Sequence, residues 1–201
     1  MKKFELYICD VESTGLLKDN DIIELSLYRL SNDEQKTWCI KPIKTDNIQP
    51  DALRVNKHIL DDLLHKTKIG KEKYIEANLV IVEIENWLAE DFQASEDRIL
   101  VGHNVLGFDK DMLIELWKKC NSIETFPFNK RYAIDTMQTQ IFLEAIGKSE
   151  GSEYYNLMGL VEKYAIKKER AHAADSDVRM TKDLFLRQAE MVGAAAKFYS
   201  R

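Results

Sequence analysis

Hydrophobic positions in the first forty residues fall in short runs of strand character. Residues 4–9 (FELYIC) form one run ending at Asp10, residues 22–30 (IIELSLYRL) a second and residues 36–41 (KTWCIK) a third, with a polar turn segment at 13–21. Runs of this length, bounded by turn residues, predict strands, and their close succession predicts an antiparallel meander. From residue 51 the period changes. Leu53, Ile59, Leu60, Leu63 and Leu64 predict a helix over 51–65, and Leu79, Val82, Ile84, Trp87 and Leu88 another over 74–91. A short buried strand at 98–102 leads to a helix at 109–120, and residues 132–134 form a last short strand before the helical segment DTMQTQIFL. Helices over 156–165 and 174–192 complete the pattern. Three strands followed by strands alternating with helices predict an α/β domain with a mixed sheet, antiparallel first and then parallel, flanked by helices. Residues 147–153 read as a loop. The domain is expected to span residues 1–192, with 193–201 as a tail that frays.

Composition bounds this picture without redirecting it. The 201 residues suffice for one domain with a full core. Apolar content of 45% and charged content of 31% are those of a soluble globular protein. The net charge of −5 argues against a broad cationic coat for nucleic acid, but not against an enzyme that meets phosphates through bound cations. The three cysteines, Cys9, Cys39 and Cys120, form no C-x-x-C pair. Cys9 and Cys39 read as buried free thiols, which fits a reducing cytoplasm. No apolar run approaches the roughly 20 residues of a membrane span, and the N-terminal MKKFELYICD reads as strand rather than leader because Glu5 and Asp10 interrupt it.

The candidate chemistry lies in three short motifs. Asp10 and Glu12, in D-V-E-S-T-G, are two apart on a predicted strand end and face one side. Gly15 permits a sharp turn and a close backbone approach, and the Thr14 hydroxyl and neighbouring amides are donors for a phosphate or terminal hydroxyl. Asp109 ends G-H-N-V-L-G-F-D, at a predicted helix start where the dipole favours a carboxylate; His103 and Asn104 read equally as turn residues. In H-A-A-D-S-D, Asp175 and Asp177 both lie near a helix start, where either serves as a cap, and His172 sits in the approach. Acidic residues beside buried strands are costly unless paired, and the simplest partners for several converging carboxylates are hard divalent cations. His58 and His65 lack zinc-ligand spacing, and no zinc is assigned.

Taken together, the motifs resemble the DEDDh branch of the DnaQ-like 3′–5′ exonucleases, which share the ribonuclease H-like fold. Asp10-Val11-Glu12-Ser13-Thr14-Gly15 is similar to that family's D-x-E-x-T-G, Asn104 followed by Phe108-Asp109 to its second motif, and His172, separated by four residues from Asp177, to its third. The segments IDT at 134–136, NLMGLVEKYAI at 156–166 and IQPDALRVNKHI at 48–59 extend the similarity over roughly residues 4–190. Three residues, Val105-Leu106-Gly107, separate H-N from F-D, a spacing nearer to polymerase-borne exonuclease domains. The tyrosine branch places tyrosine where this chain has Ala173, and Asp175 has Arg170 rather than histidine five residues before it. Histidine at 172 and aspartate at 177 are therefore the family match.

The resemblance implies one exonuclease domain over 1–192, with two Mg²⁺ or Mn²⁺ ions held by Asp10, Glu12, Asp109 and Asp177 and with His172 as general base. Thr14, Gly15, Leu16, Asn104 and Phe108 are the expected substrate contacts. The implied activity is metal-dependent removal of nucleoside 5′-monophosphates from single-stranded 3′ ends, DNA slightly ahead of RNA, by a cytoplasmic enzyme working alone or with a DNA polymerase or repair complex. The alternative is an inactive accessory subunit of the same fold. Such a subunit is free to lose one of the five residues, and none is lost.

Overall fold

A computed structural model of the chain describes residues 4–193; the tail expected to fray lies, from residue 194 on, outside the described residues. Six strands form one mixed sheet: β1 (Glu5–Ser13), β2 (Ile22–Arg29), β3 (Glu34–Lys41), β4 (Ile75–Glu76), β5 (Arg98–Gly102) and β6 (Ala133–Asp135). Their order across the sheet is β4-β3-β2-β1-β5-β6. The first three pair antiparallel, whereas β5 joins β1 and β6 joins β5 in parallel. This is the expected division of the sheet. β4 is an addition, two residues pairing in parallel with the end of β3 through Ile40↔Ile75 and Lys41↔Glu76.

The side-chain alternation of β1 decides where everything else goes. Tyr7, Cys9 and Val11 face the larger core, packed with α4 (Ala77–Ala89), which supplies Val80, Ile84 and Trp87, and with α5 (Asp109–Lys119), which supplies Met112, Leu116 and Trp117. Ile8 faces the opposite side and packs on Val178, Phe185 and Leu186 of α8 (Ala174–Met191). By the same period of two, Asp10 and Glu12 continue the α8 face. Helix α6 (Thr136–Ala145) and α7 (Leu157–Lys163) pack on α8, and a small third cluster of Ile23, Leu53, Leu63 and Tyr74 anchors the segment after β3.

Three local readings change. β1 runs on to Ser13 because β2 pairs along its whole length, down to Ser13↔Ile22; Asp10 and Glu12 therefore lie within the strand rather than past its end. The helix expected over 51–65 breaks into α1 (Pro50–Asn56) and α2 (Leu60–Leu63), because Lys57 turns left-handed at φ 62°. Its apolar residues do not share a face: Leu53 and Leu63 are buried while Ile59 is 62% exposed. The polar segment after it forms α3 (Lys68–Lys73), capped by Thr67 and packed so tightly that a Cβ on Gly70 would lie 2.1 Å from the Asp62 carbonyl oxygen. Of the thiols expected to be buried, Cys9 is, while Cys39 is half-buried at the sheet surface. No helix among the described residues is long and apolar enough to cross a membrane.

Candidate active site

Helix α5 is tied to the strand that carries the first motif. Asp109 is its first residue, and its Oδ1 accepts a hydrogen bond from the Val11 amide at 3.0 Å. This ties the Asp109 carboxylate to the backbone between the two acidic residues of β1. The preceding loop is held by a residue with no expected role. The Asp135 carboxylate accepts from the amides of Asn104 (3.1 Å) and Leu106 (3.2 Å) while capping α6 through Met137 (2.9 Å) and Gln138 (3.3 Å). An aspartate directly before a helical run is the sequence signal for such a cap, but nothing local announces its reach back to residue 104. Asn104 itself is exposed and left-handed at φ 60°. His103 bonds through Nδ1 to the Thr136 hydroxyl at 3.0 Å.

The third motif closes over the same place. His172 is exposed, left-handed at φ 57°, and its amide donates to Asp177 Oδ2 at 3.1 Å. A non-glycine residue in that region is uncommon, and here the Asp177 carboxylate fixes it. Ligand atoms of Glu12, His172 and Asp177 lie within 4.8 Å of one another. Asp175 points elsewhere and accepts from Arg179 at 3.2 Å. The structure thus brings Asp177, not Asp175, together with His172 and Glu12.

The electrostatics of this cluster are those of crowded carboxylates. Burial pushes the Asp10 carboxyl well above its usual range, and the charges of Asp109, Asp177 and Glu12 add to the shift. Glu12 is pushed up to about 8 by burial, then by Asp177, Glu24 and Asp109, against the amide of Asn56. Asp109 rises to about 7 through burial, with Asp135 and Asp177 adding, although the amides of Val11 and of Asp109 itself oppose it. Asp177 rises to about 6, again chiefly by burial, with the His172 amide opposing. The second oxygen of Asp177, Oδ1, is buried and has no hydrogen-bond partner. An unpaired buried carboxylate oxygen beside three more acids is a set of hard donors matched to divalent cations, so these residues fit a metal centre.

A groove of about 370 Å³ opens beside the cluster, lined by Leu16, Gln49, Val55, Asn56, Phe108 and His172 among others, with Glu12 at its edge. Leu16, 79% exposed, and Phe108, which also packs on the larger core, lie on its wall. Thr14, Gly15 and Asn104 do not. Thr14 is fully buried, and its hydroxyl accepts the Asp21 amide at 2.9 Å, so it closes the β1–β2 loop from beneath. Gly15 lies against Gln49, where an added Cβ would come within 2.5 Å of the side-chain amide carbon. Asn56, missed in the sequence, donates to the Ser13 carbonyl at 3.1 Å. Behind Glu12, its cross-strand neighbour Glu24 pairs with His58 at 3.0 Å, and His58 in turn meets the Tyr74 hydroxyl at 2.6 Å. Burial raises the Glu24 carboxyl, but His58 outweighs it and holds the group below its usual range.

The exonuclease family model matches residues 7–185, and the chain belongs to that family, the DnaQ-like 3′–5′ exonucleases of the ribonuclease H-like superfamily. Among curated relatives, a 3′–5′ exonuclease DinG of Staphylococcus haemolyticus is 26% identical over 90% of this chain, and that of Staphylococcus epidermidis 25% identical over 91%. The chain spans only 17% and 18% of those proteins' lengths. Among solved structures, exonuclease I of Methylocaldum szegediense superposes with a TM-score of 0.72 at 17% identity, over 93% of this chain and 40% of that one. The zinc-bound E. coli exonuclease I complex with single-stranded DNA gives 0.75 at 15% identity, over 95% and 42%. These structures share the fold.

Proposed function

We propose that the chain is a metal-dependent 3′–5′ exonuclease that releases nucleoside 5′-monophosphates from single-stranded ends, DNA slightly preferred to RNA. The observation that carries this reading is the meeting of Glu12, His172 and Asp177 within 4.8 Å, with Asp109 bonded to the Val11 amide of the same strand and Asp10 in the field of the other acids, beside an open groove walled by Leu16 and Phe108. Asp10, Glu12, Asp109 and Asp177 would hold two Mg²⁺ or Mn²⁺ ions, which when bound supply charge neutralisation and an acidified water for in-line phosphoryl displacement. His172 takes the proton of the attacking water, the work of a positioned general base. Asp177 orients that histidine through the His172 amide. Leu16 and Phe108 pack against the terminal nucleotide, the ring of Phe108 stacking without base preference. Gly15, held by Gln49, and Thr14, under the loop, act by shaping the backbone that presents Leu16; Asn104 braces the second-motif loop.

Support for DNA comes from exonuclease I of E. coli, whose structures hold single-stranded DNA and a dT13 oligonucleotide. A DNA polymerase or repair assembly is the partner class in view, and the cytoplasm the compartment that suits three free thiols. The test is product analysis on 5′-labelled single-stranded DNA and RNA of equal sequence, with Mg²⁺ and with EDTA. A ladder shortening from the 3′ end by single mononucleotides, absent in EDTA, is expected. Internal cuts in a closed circular strand, or a ladder that survives chelation, would overturn the proposal.

A further inference from the structure

The loop joining β1 to β2 carries Leu16 to the groove, and it is short of internal bonds. Thr14 and Asp21 close its neck, the Thr14 amide donating to the Asp21 carbonyl at 2.8 Å. Within it, Asn20 ties to Leu17 twice: its Oδ1 accepts the Leu17 amide, and its own amide donates to the Leu17 carbonyl, each at 2.9 Å. The remaining hold is external and comes from two sides. On one, Asn47 donates to the Asp19 carbonyl at 2.7 Å and accepts the Asn20 side-chain amide on its own carbonyl at 2.8 Å, while Lys44 pairs with Asp19. The other side is α5. Lys119, in the last turn of α5, sends its ammonium into the loop and donates to the Asp19 carbonyl (3.0 Å), the Asn20 carbonyl (2.7 Å) and Asp21 Oδ1 (2.6 Å). Three acceptors meet three N–H donors. The pair is secluded, with 14% of the Lys119 side chain and 2% of that of Asp21 exposed. The other Asp21 oxygen takes the Lys44 amide at 2.6 Å, so the carboxylate is fixed from both sides.

The helix that delivers this ammonium begins at Asp109. One rigid element therefore holds a carboxylate of the cluster at its first turn and the Leu16 loop at its last. We propose that Lys119 is a positioning residue: through Asp19, Asn20 and Asp21 it sets the β1–β2 loop so that Leu16 meets the terminal nucleotide in register with the carboxylate cluster. This rests on the exonuclease reading of the site. An ammonium is suited to three convergent acceptors, whereas the planar fork of arginine is not, so Lys119→Arg keeps the charge but misplaces the loop.

The test is a double-mutant cycle of Lys119→Met with Leu16→Ala in the full chain. It is read by the Kd for a fluorescent single-stranded DNA oligonucleotide with Ca²⁺ in place of Mg²⁺, and by kcat/KM with Mg²⁺. Lys119→Met alone is expected to raise Kd about tenfold and to lower kcat/KM by up to about 10²-fold, the scale of a sub-ångström to ångström misplacement. In the Leu16→Ala background the same change is expected to have less than about a twofold effect, because the element it positions is gone. Lys119→Arg is expected to fall between, and it carries the cycle if Lys119→Met does not fold. A Lys119 effect that persists undiminished beside Leu16→Ala, or no effect at all, overturns the assignment. A wild-type chain that binds the oligonucleotide without shortening it overturns the exonuclease reading instead, while the binding cycle still decides the role of Lys119.

Discussion

The two ends of β1 handle buried carboxylates in opposite ways. At the Tyr7 end, Asp91 receives Arg98 at 2.7 and 2.8 Å, the Tyr7 hydroxyl at 2.6 Å and the Gln93 amide at 2.8 Å. Arg29 completes the network, donating to the Tyr7 hydroxyl at 2.9 Å and to the Trp87 carbonyl at 2.6 Å. Burial pushes the Asp91 carboxyl up, but these donors outweigh it and hold the group below its usual range. A few residues along the same strand, Asp10 and Glu12 meet Asp109 and Asp177 with no lysine or arginine paired to them among the described residues and only His172 beside them, and all four carboxyls are driven up. Counter-charge from arginine at one end of the strand, and crowded carboxylates at the other, fit the proposal that cations from solution complete the second end.

The contrast is broken most severely by mutation in the cluster. Asp10→Ala and Asp109→Ala are each expected to bring single-turnover cleavage below detection. His172→Ala should keep oligonucleotide binding and lose ~10²–10⁴ in rate, the usual worth of a positioned base. A His172→Ala variant with full rate at neutral pH would remove the histidine from the reaction. At the other end of β1, Arg98→Met leaves Asp91 buried without its cation. Urea unfolding should show a loss of ~3–5 kcal/mol, with metal dependence of activity unchanged. A loss below ~1 kcal/mol would mean that Tyr7 and Gln93 suffice.

The two ends should also titrate in opposite senses. In metal-free protein the cluster carboxyls, raised toward about 6 to 8, hold more protons folded than unfolded between about pH 4 and 8, so stability falls as pH rises through that window. Asp91, held low, contributes stability that is present above the unfolded carboxylate pKa and lost as pH falls through its folded value. Thermal midpoints from pH 4 to 8, with and without Mg²⁺, should show the decline flatten when the ion is present; an identical slope in both would contradict the comparison. The smallest effect is expected at Asp175, whose partly exposed pair with Arg179 is worth ~0.2–1 kcal/mol. Asp175→Ala should keep its turnover, and a dead variant would move the third motif from Asp177 to Asp175.

The mixed sheet and the three motifs were legible because they rest on local signals: β5 occupies the expected residues 98–102, and β1 to β3 follow their apolar runs. The small elements between β3 and α4 were not. Their apolar residues are divided between a buried and an exposed set, and β4 exists only through its pairing with β3. In the site, Leu16 and Phe108, expected as substrate contacts, lie on the groove wall. Thr14 was not readable as a closing element, because its partner is the Asp21 amide seven residues on. The same applies to Asp135 and Lys119. Each works through contacts about thirty to one hundred residues away in sequence, which leave no periodic trace.

The central claim, that the cluster is completed by cations from solution, is tested most directly by one thermal-shift comparison of wild type and Asp10→Asn, each with chelator and with Mn²⁺. Wild type is expected to rise on adding Mn²⁺, by ~2.7 kcal/mol at a hundred times the dissociation constant. Asp10→Asn is expected to be at least as stable as wild type in chelator, since one crowded charge is removed, and to respond weakly or not at all to Mn²⁺. A wild-type chain indifferent to Mn²⁺, with Asp10→Asn clearly less stable in chelator, would show that the protein satisfies these carboxylates by itself and would contradict the claim.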